Sequence, residues 1–108
     1  MDLRQLDYFL KVVERGSLTA AASELRITQP TLTKSIRQLE RSLGVALLER
    51  LPRGVVPTEF GAVLARHARL VGVQLKDALG EIEGMRSGRT GHVAIGAGPA
   101  WLRRLLPL

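Results

Sequence analysis

The 108-residue sequence predicts a mainly α-helical chain: three short helices, a small β-hairpin and one long helix. Three observations carry that expectation. Three segments of helical pattern follow one another, the first ending at a capping glycine and the second and third each opening on a capping residue. Two short apolar runs then flank a Pro- and Gly-containing turn. From residue 58 onward an apolar heptad runs for nearly thirty residues.

In the first helix Leu3, Leu6, Leu10 and Val13 share a face with Phe9 and Val12 alongside, and Gly16 is a good C-terminal cap. Ser17 offers an N-cap to a second, short helix through LTAAASEL. Ala20, Ala21 and Ala22 favour helix and carry little bulk, so another helix can approach closely. After Arg26 and Ile27, Thr28 caps a third helix with Pro30 in its first turn, where no backbone donor is needed. The restriction that Pro30 places on Gln29 leaves that cap open by one residue. Leu32, Ile36, Leu39 and Leu43 form a narrow apolar stripe that ends at Gly44. At about 100° per residue, Lys34, Arg37 and Arg41 fall within an arc of about 60° on the other side. One face packs and the other is strongly basic.

VALLE at 45–49 and GVV at 54–56 read as the strands of a hairpin whose basic tip is Arg50-Leu51-Pro52-Arg53-Gly54. Three helices followed by such a hairpin make the layout of a winged helix-turn-helix. Thr58 then caps the long helix, in which Leu64, Ala68, Val71, Leu75, Ala78, Ile82 and Met85 are spaced 4, 3, 4, 3, 4, 3. One small domain cannot cover so long a seam. It either folds back on its own domain or, the favoured reading, pairs with the same helix of a second chain. Gly61, Gly72, Gly80 and Gly84 each weaken the helix by about 1 kcal/mol relative to Ala, which adds weight to a packing partner. Ser87, Gly88 and Gly91 break it, and His92-Val93-Ala94-Ile95 reads as a lone strand, the first piece of a domain that the chain lacks. The expected division is residues 1–57 for the winged helix, 58–86 for a linker and dimerisation helix, and 87–108 for a hinge and first strand.

Composition narrows the partner. Sixteen Lys and Arg against ten Asp and Glu give a net charge of +6, which suits a polyanion, either nucleic acid or a membrane surface. With no cysteine there are no disulfides, thiolate metal sites or Cys nucleophile. No apolar run reaches the roughly 20 residues of a membrane span, so the chain is expected to be cytoplasmic with no membrane partner. No carboxylate pair, nucleophile with base or metal cluster marks an enzyme, and no cofactor is implied. His67 and His92, the two histidines, have no second ligand at metal spacing. Gly96-x-Gly98 after a strand suggests a dinucleotide loop, but Trp101 occupies the third glycine position. The four aromatic residues leave the basic face uninterrupted, against single-stranded nucleic acid.

A short helix, a tight turn and a second helix with a polar outer face form a helix-turn-helix, in which the second helix enters the major groove. The alternative is a coiled-coil protein-interaction module whose helix-turn-helix is a scaffold. LRQLDYFLKVVERGSLTAAASEL at 3–25, TQPTLTKSIRQLE at 28–40, LGVALLER at 43–50 and PRGVVPTEFG at 52–61 resemble the LysR-type transcriptional regulators of bacteria, and the likeness continues to about residue 98. That resemblance implies sequence-specific binding of double-stranded DNA by a recognition helix at 29–43 and a wing at 50–54. It places Thr28, Gln29, Pro30, Thr31, Thr33, Lys34 and Arg37 at the DNA. Gln29 suits adenine, Thr31 offers a hydroxyl and a methyl, and Arg37 reaches a guanine or a phosphate. Of these, Lys34 is expected on the backbone together with Arg41, and Arg50 and Arg53 are wing candidates, although one of the two can instead pair with Glu49 or cap a helix. Ser35 and Pro57 depart from the family's usual residues. A homodimer through the long helix is implied, and a small-molecule co-inducer only in a full-length form, so this chain should bind DNA without ligand control.

Overall fold

The computed structural model describes residues 1–88. The expected strand at residues 92–95, the glycine pair at 96 and 98, and His92 lie outside the described residues. Helix α1 (Leu3–Arg15) opens on a capping box in which Asp2 accepts from the Gln5 amide and the Gln5 side chain returns the bond, and it closes at Gly16 in the left-handed region. Helix α2 (Leu18–Leu25) is capped by the Ser17 hydroxyl. Helix α3 (Gln29–Leu43) is capped by Thr28, carries Pro30 in its first turn and ends at Gly44. The pre-proline ambiguity is thus resolved in favour of Thr28.

The core follows the stripes in part: Leu43 of the expected α3 stripe is exposed, and Leu3, Leu6, Leu10 and Val13 of α1 are half-buried. Phe9 and Val12 of α1, Ala21 and Leu25 of α2, and Leu32, Ile36 and Leu39 of α3 are all buried, and Leu47 joins them from beyond α3. Ala21 is wholly enclosed, which is how α1 and α3 both approach α2. An ion network closes the outer seam between α1 and α2: the buried Lys11 places its ammonium 2.5 Å from Glu24 and 3.6 Å from Glu14, and Arg15 also reaches Glu24. The hydrogen bond from Lys11 holds the Glu24 carboxyl below its ordinary pKa, with Arg15 adding to the effect.

The wing differs in register from the expectation. Strand β1 is Leu48–Arg50 and β2 is Val55–Pro57, antiparallel, with Arg50 opposite Val55. Residues 45–47 are not strand because their apolar side chains serve the helical core, Leu47 buried and Val45 packed against it. Arg50 therefore ends a strand and does not sit in the tip. Gly54 (φ 83°) turns the hairpin so close to α1 that a Cβ there would lie 2.4 Å from the Gly16 carbonyl oxygen.

Helix α4 (Glu59–Ser87) is capped by Thr58 and ends at Gly88. Its first turns pack on α1 and β2. Gly61 is required there, since a Cβ would meet the Leu47 carbonyl oxygen at 2.0 Å. The predicted heptad seam is divided. Ala68 is buried and Leu64 packs against the chain's own core, so these two are not free for a partner. Leu75 is half-buried, and Val71, Ala78, Ile82 and Met85 are exposed, Ile82 to 58% and Met85 to 82%.

Candidate nucleic-acid interface

Two constraints set how α3 is presented. Arg26 adopts φ 60° and donates back to the carbonyls of Ala22 and Ser23, and Ile27 also donates to Ala22, so α2 ends sharply and the chain re-enters a helix two residues later. Leu32, Ile36 and Leu39 then fix the rotation of α3 by filling the core. What remains outside is the opposite face: Thr28, Gln29, Pro30, Thr31, Lys34, Arg37 and Arg41 are all exposed.

The threonines of this face differ in their hydrogen bonding. The Thr28 hydroxyl accepts from the Thr31 amide at 3.3 Å and donates to the Thr31 hydroxyl at 2.8 Å. Its proton is committed, whereas Thr31 keeps its own to donate outward. Thr33 is half-buried, and its hydroxyl oxygen is enclosed with no hydrogen-bond partner among the described residues. A hydroxyl contact from Thr33 to a base edge is therefore not available in this conformation. Thr33 lines both the crevice between α3 and the wing and the open concavity beside it.

Gln29, Pro30, Thr33, Lys34, Arg37 and Arg41 of α3 and Arg50 of β1 line one open concavity of about 500 Å³. Four cations meet there with no acid on the lining. Among the described residues no ion pair engages Lys34, Arg37, Arg41, Arg50 or Arg53, so the alternative that Arg50 is held by Glu49 is not seen. Converging like charges raise a positive potential that an anion relieves. Arg53 stands apart on the exposed hairpin tip. No group of three or more His, Asp or Glu able to hold a metal occurs among the described residues, and no helix there is long and apolar enough to cross a membrane.

The sequence reading missed part of the free face of α4. Phe60, Val63, Leu70 and Val73 are exposed as well. Phe60, Val63 and Leu70 form a strip beside the predicted seam, interrupted at helical spacing by His67, which hid it from a search for apolar repeats.

Residues 3–62 match the family described as bacterial regulatory helix-turn-helix protein, lysR family. The chain belongs to the LysR family. Among similar LysR-family proteins is the nitrogen assimilation regulatory protein nac of Klebsiella aerogenes, 42% identical over 99 residues, covering 92% of this chain and 32% of that protein. The regulator ClcR of Pseudomonas putida is 40% identical over 114 residues, covering 98% of this chain and 39% of the relative. The chain thus spans about a third of the length of such curated relatives. Among solved structures, the BenM DNA-binding domain in complex with catB site 1 DNA superposes with a TM-score of 0.76 at 37% identity, covering 85% of this chain and 100% of the other. The CbnR DNA-binding domain in its DNA complex gives 0.70 at 38% identity, covering 81% and 99%. The full-length LysR-type regulator LysG of Corynebacterium glutamicum with bound effector Arg gives 0.76 at 26% identity, covering 82% of this chain and 30% of that one. The winged helix-turn-helix with its long helix is therefore the LysR DNA-binding architecture.

Proposed function

We propose that this chain binds double-stranded operator DNA sequence-specifically as the DNA-binding part of a bacterial transcriptional regulator. The observation that carries the reading is the concavity in which Lys34, Arg37, Arg41 and Arg50 converge without ion pairs, beside an exposed α3 N-terminus. The first turns of α3 enter the major groove, with Gln29 and Arg37 at base edges and Thr31 and Pro30 against them. Thr28 serves as the cap that holds this turn. Lys34 and Arg41 bind phosphates, and Arg50 and Arg53 carry the wing to the adjacent groove or backbone.

Two copies act together, paired through the exposed apolar face of α4 that includes Val71, Leu75, Ala78, Ile82 and Met85. An unpaired apolar strip of this length is unfavourable in water, and a second α4 removes it. The operator is accordingly an imperfect palindrome with half-sites about one or two helical turns apart. The role is binding without catalysis and takes place in the cytoplasm.

Selection of bound duplexes from a random pool tests the reading, with affinity then followed against salt. An enriched palindrome and a steep linear fall of log affinity with log salt are expected. Enrichment of no sequence, or salt-insensitive association, would overturn it in favour of a protein-interaction module.

A further inference from the structure

The wing is too short to orient itself. Its ladder pairs three residues with three, and an isolated two-stranded hairpin is marginal in water. Its direction comes from what holds its two strands: β2 is held on α1, where the Val55 amide donates to the Gly16 carbonyl at 3.0 Å and Val55 is buried, and β1 is held through the segment that leads into it. The backbone of residues 46–48 is gripped from two sides. From α3, the Glu40 carboxylate accepts from the Leu47 amide at 2.7 Å and the Leu48 amide at 3.3 Å. From the start of α4, Thr58 donates its hydroxyl to the Ala46 carbonyl at 2.6 Å and its amide to the Leu47 carbonyl at 3.0 Å.

Glu40 is an anomaly if the outer face of α3 meets a polyanion. It is half-buried and shares a crevice of about 80 Å³ with Arg37 and Arg50, where a carboxylate repels phosphate. By charge alone the position is unfavourable, and its compensation is the pair of charge-assisted bonds to the lead-in of β1. We infer that Glu40 is a positioning residue for DNA readout: without touching DNA, it fixes the wing arginines relative to the base-reading turn of α3. The inference rests on the DNA-binding reading above.

Charge and positioning predict opposite signs for Glu40→Gln, which removes a negative charge and leaves a weaker, neutral acceptor. Binding of the dimeric chain to its selected operator and to a random duplex is measured, with hydroxyl-radical footprints for the wing and guanine N7 methylation protection for α3. Expected are an operator affinity about tenfold weaker, an unchanged or tighter random-duplex affinity, loss of wing-side protection, and retained N7 protection. In an Arg50→Ala, Arg53→Ala background the substitution should cause no further loss. Equal shifts on both duplexes, an intact wing footprint, or a full additional loss in the arginine-free background would each overturn the inference while leaving the DNA-binding reading in place. A parent chain that protects no duplex overturns both. If E40Q does not fold, Glu40→Asp keeps the charge but shortens the reach and should give the same footprint; failure of both to fold assigns Glu40 to the fold and overturns the positioning role.

Discussion

Replacing Lys34 by Ala separates a phosphate contact from a base contact in numbers. Lys34 is exposed, lines the basic concavity and is engaged in no ion pair among the described residues, so its loss costs the fold little and removes one cation per chain. Each phosphate neutralised on a duplex contributes about 0.9 to the slope of log affinity against log salt, so a dimer lacking two Lys34 contacts should lose about 1.8. Extrapolated from 1 M to about 0.15 M salt, that slope corresponds to an affinity about 30-fold weaker. The loss should be alike on operator and random duplex, because phosphates carry no sequence. Fluorescence anisotropy across a salt series on both duplexes measures slope and ratio together. A variant with an unchanged slope, or one that loses operator affinity alone, would refute the assignment of Lys34 to the backbone and the geometry from which it was argued.

Gln29→Ala and Arg37→Ala should behave in the opposite way, each losing about 1–3 kcal/mol per half-site on the operator and far less on random duplex; equal losses on both would remove them from the reading face. Leu75→Glu, at the centre of the free strip of α4, should convert dimer to monomer in a mass measurement, and an unchanged dimer would mean the strip is covered otherwise. Gly61→Ala forces a Cβ to 2.0 Å from the Leu47 carbonyl oxygen, and neither backbone can yield, so a loss of about 2–3 kcal/mol is expected in denaturant unfolding. The pKa of Glu24 is lowered in the fold, chiefly by its hydrogen bond from Lys11, so its contribution is present above the ordinary carboxylate value and disappears as pH falls through the folded value. Acid unfolding of Glu24→Gln should therefore show a shallower dependence in that range, and a parallel curve would contradict the linkage.

The helical part of the fold was legible because each boundary has a local chemical cause. The side-chain oxygens of Ser17, Thr28 and Thr58 each accept from a first-turn amide of the helix that follows, and Gly16, Gly44 and Gly88 each take the left-handed turn that ends one. None of these needs knowledge of a distant residue. The outer face of α3 was legible for a related reason: once Leu32, Ile36 and Leu39 are assigned to the core, helical geometry leaves Lys34, Arg37 and Arg41 outside. Arg26 was not legible, since nothing in its type announces a left-handed conformation.

What the sequence concealed shares one physical origin: periodicity says that a residue has an apolar or polar face to satisfy, but not which partner satisfies it. Leu64 and Ala68 fit the heptad as well as Ile82 and Met85 do, yet α1 lies within reach of the first pair and nothing described lies within reach of the second. Residues 45–47 have strand-like side chains, but the Leu47 amide is taken by Glu40, seven residues earlier in the sequence, and the apolar side chains go to the helical core. Thr33 is polar and lies between base-reading candidates, yet its hydroxyl oxygen is enclosed where α3 meets the wing. In all three cases a contact between separate elements decides the outcome. The same reasoning singles out Glu40: a carboxylate on a basic helix reads as a solvated acid in sequence, and only the amides of Leu47 and Leu48 reveal that it ties the lead-in of the wing to α3.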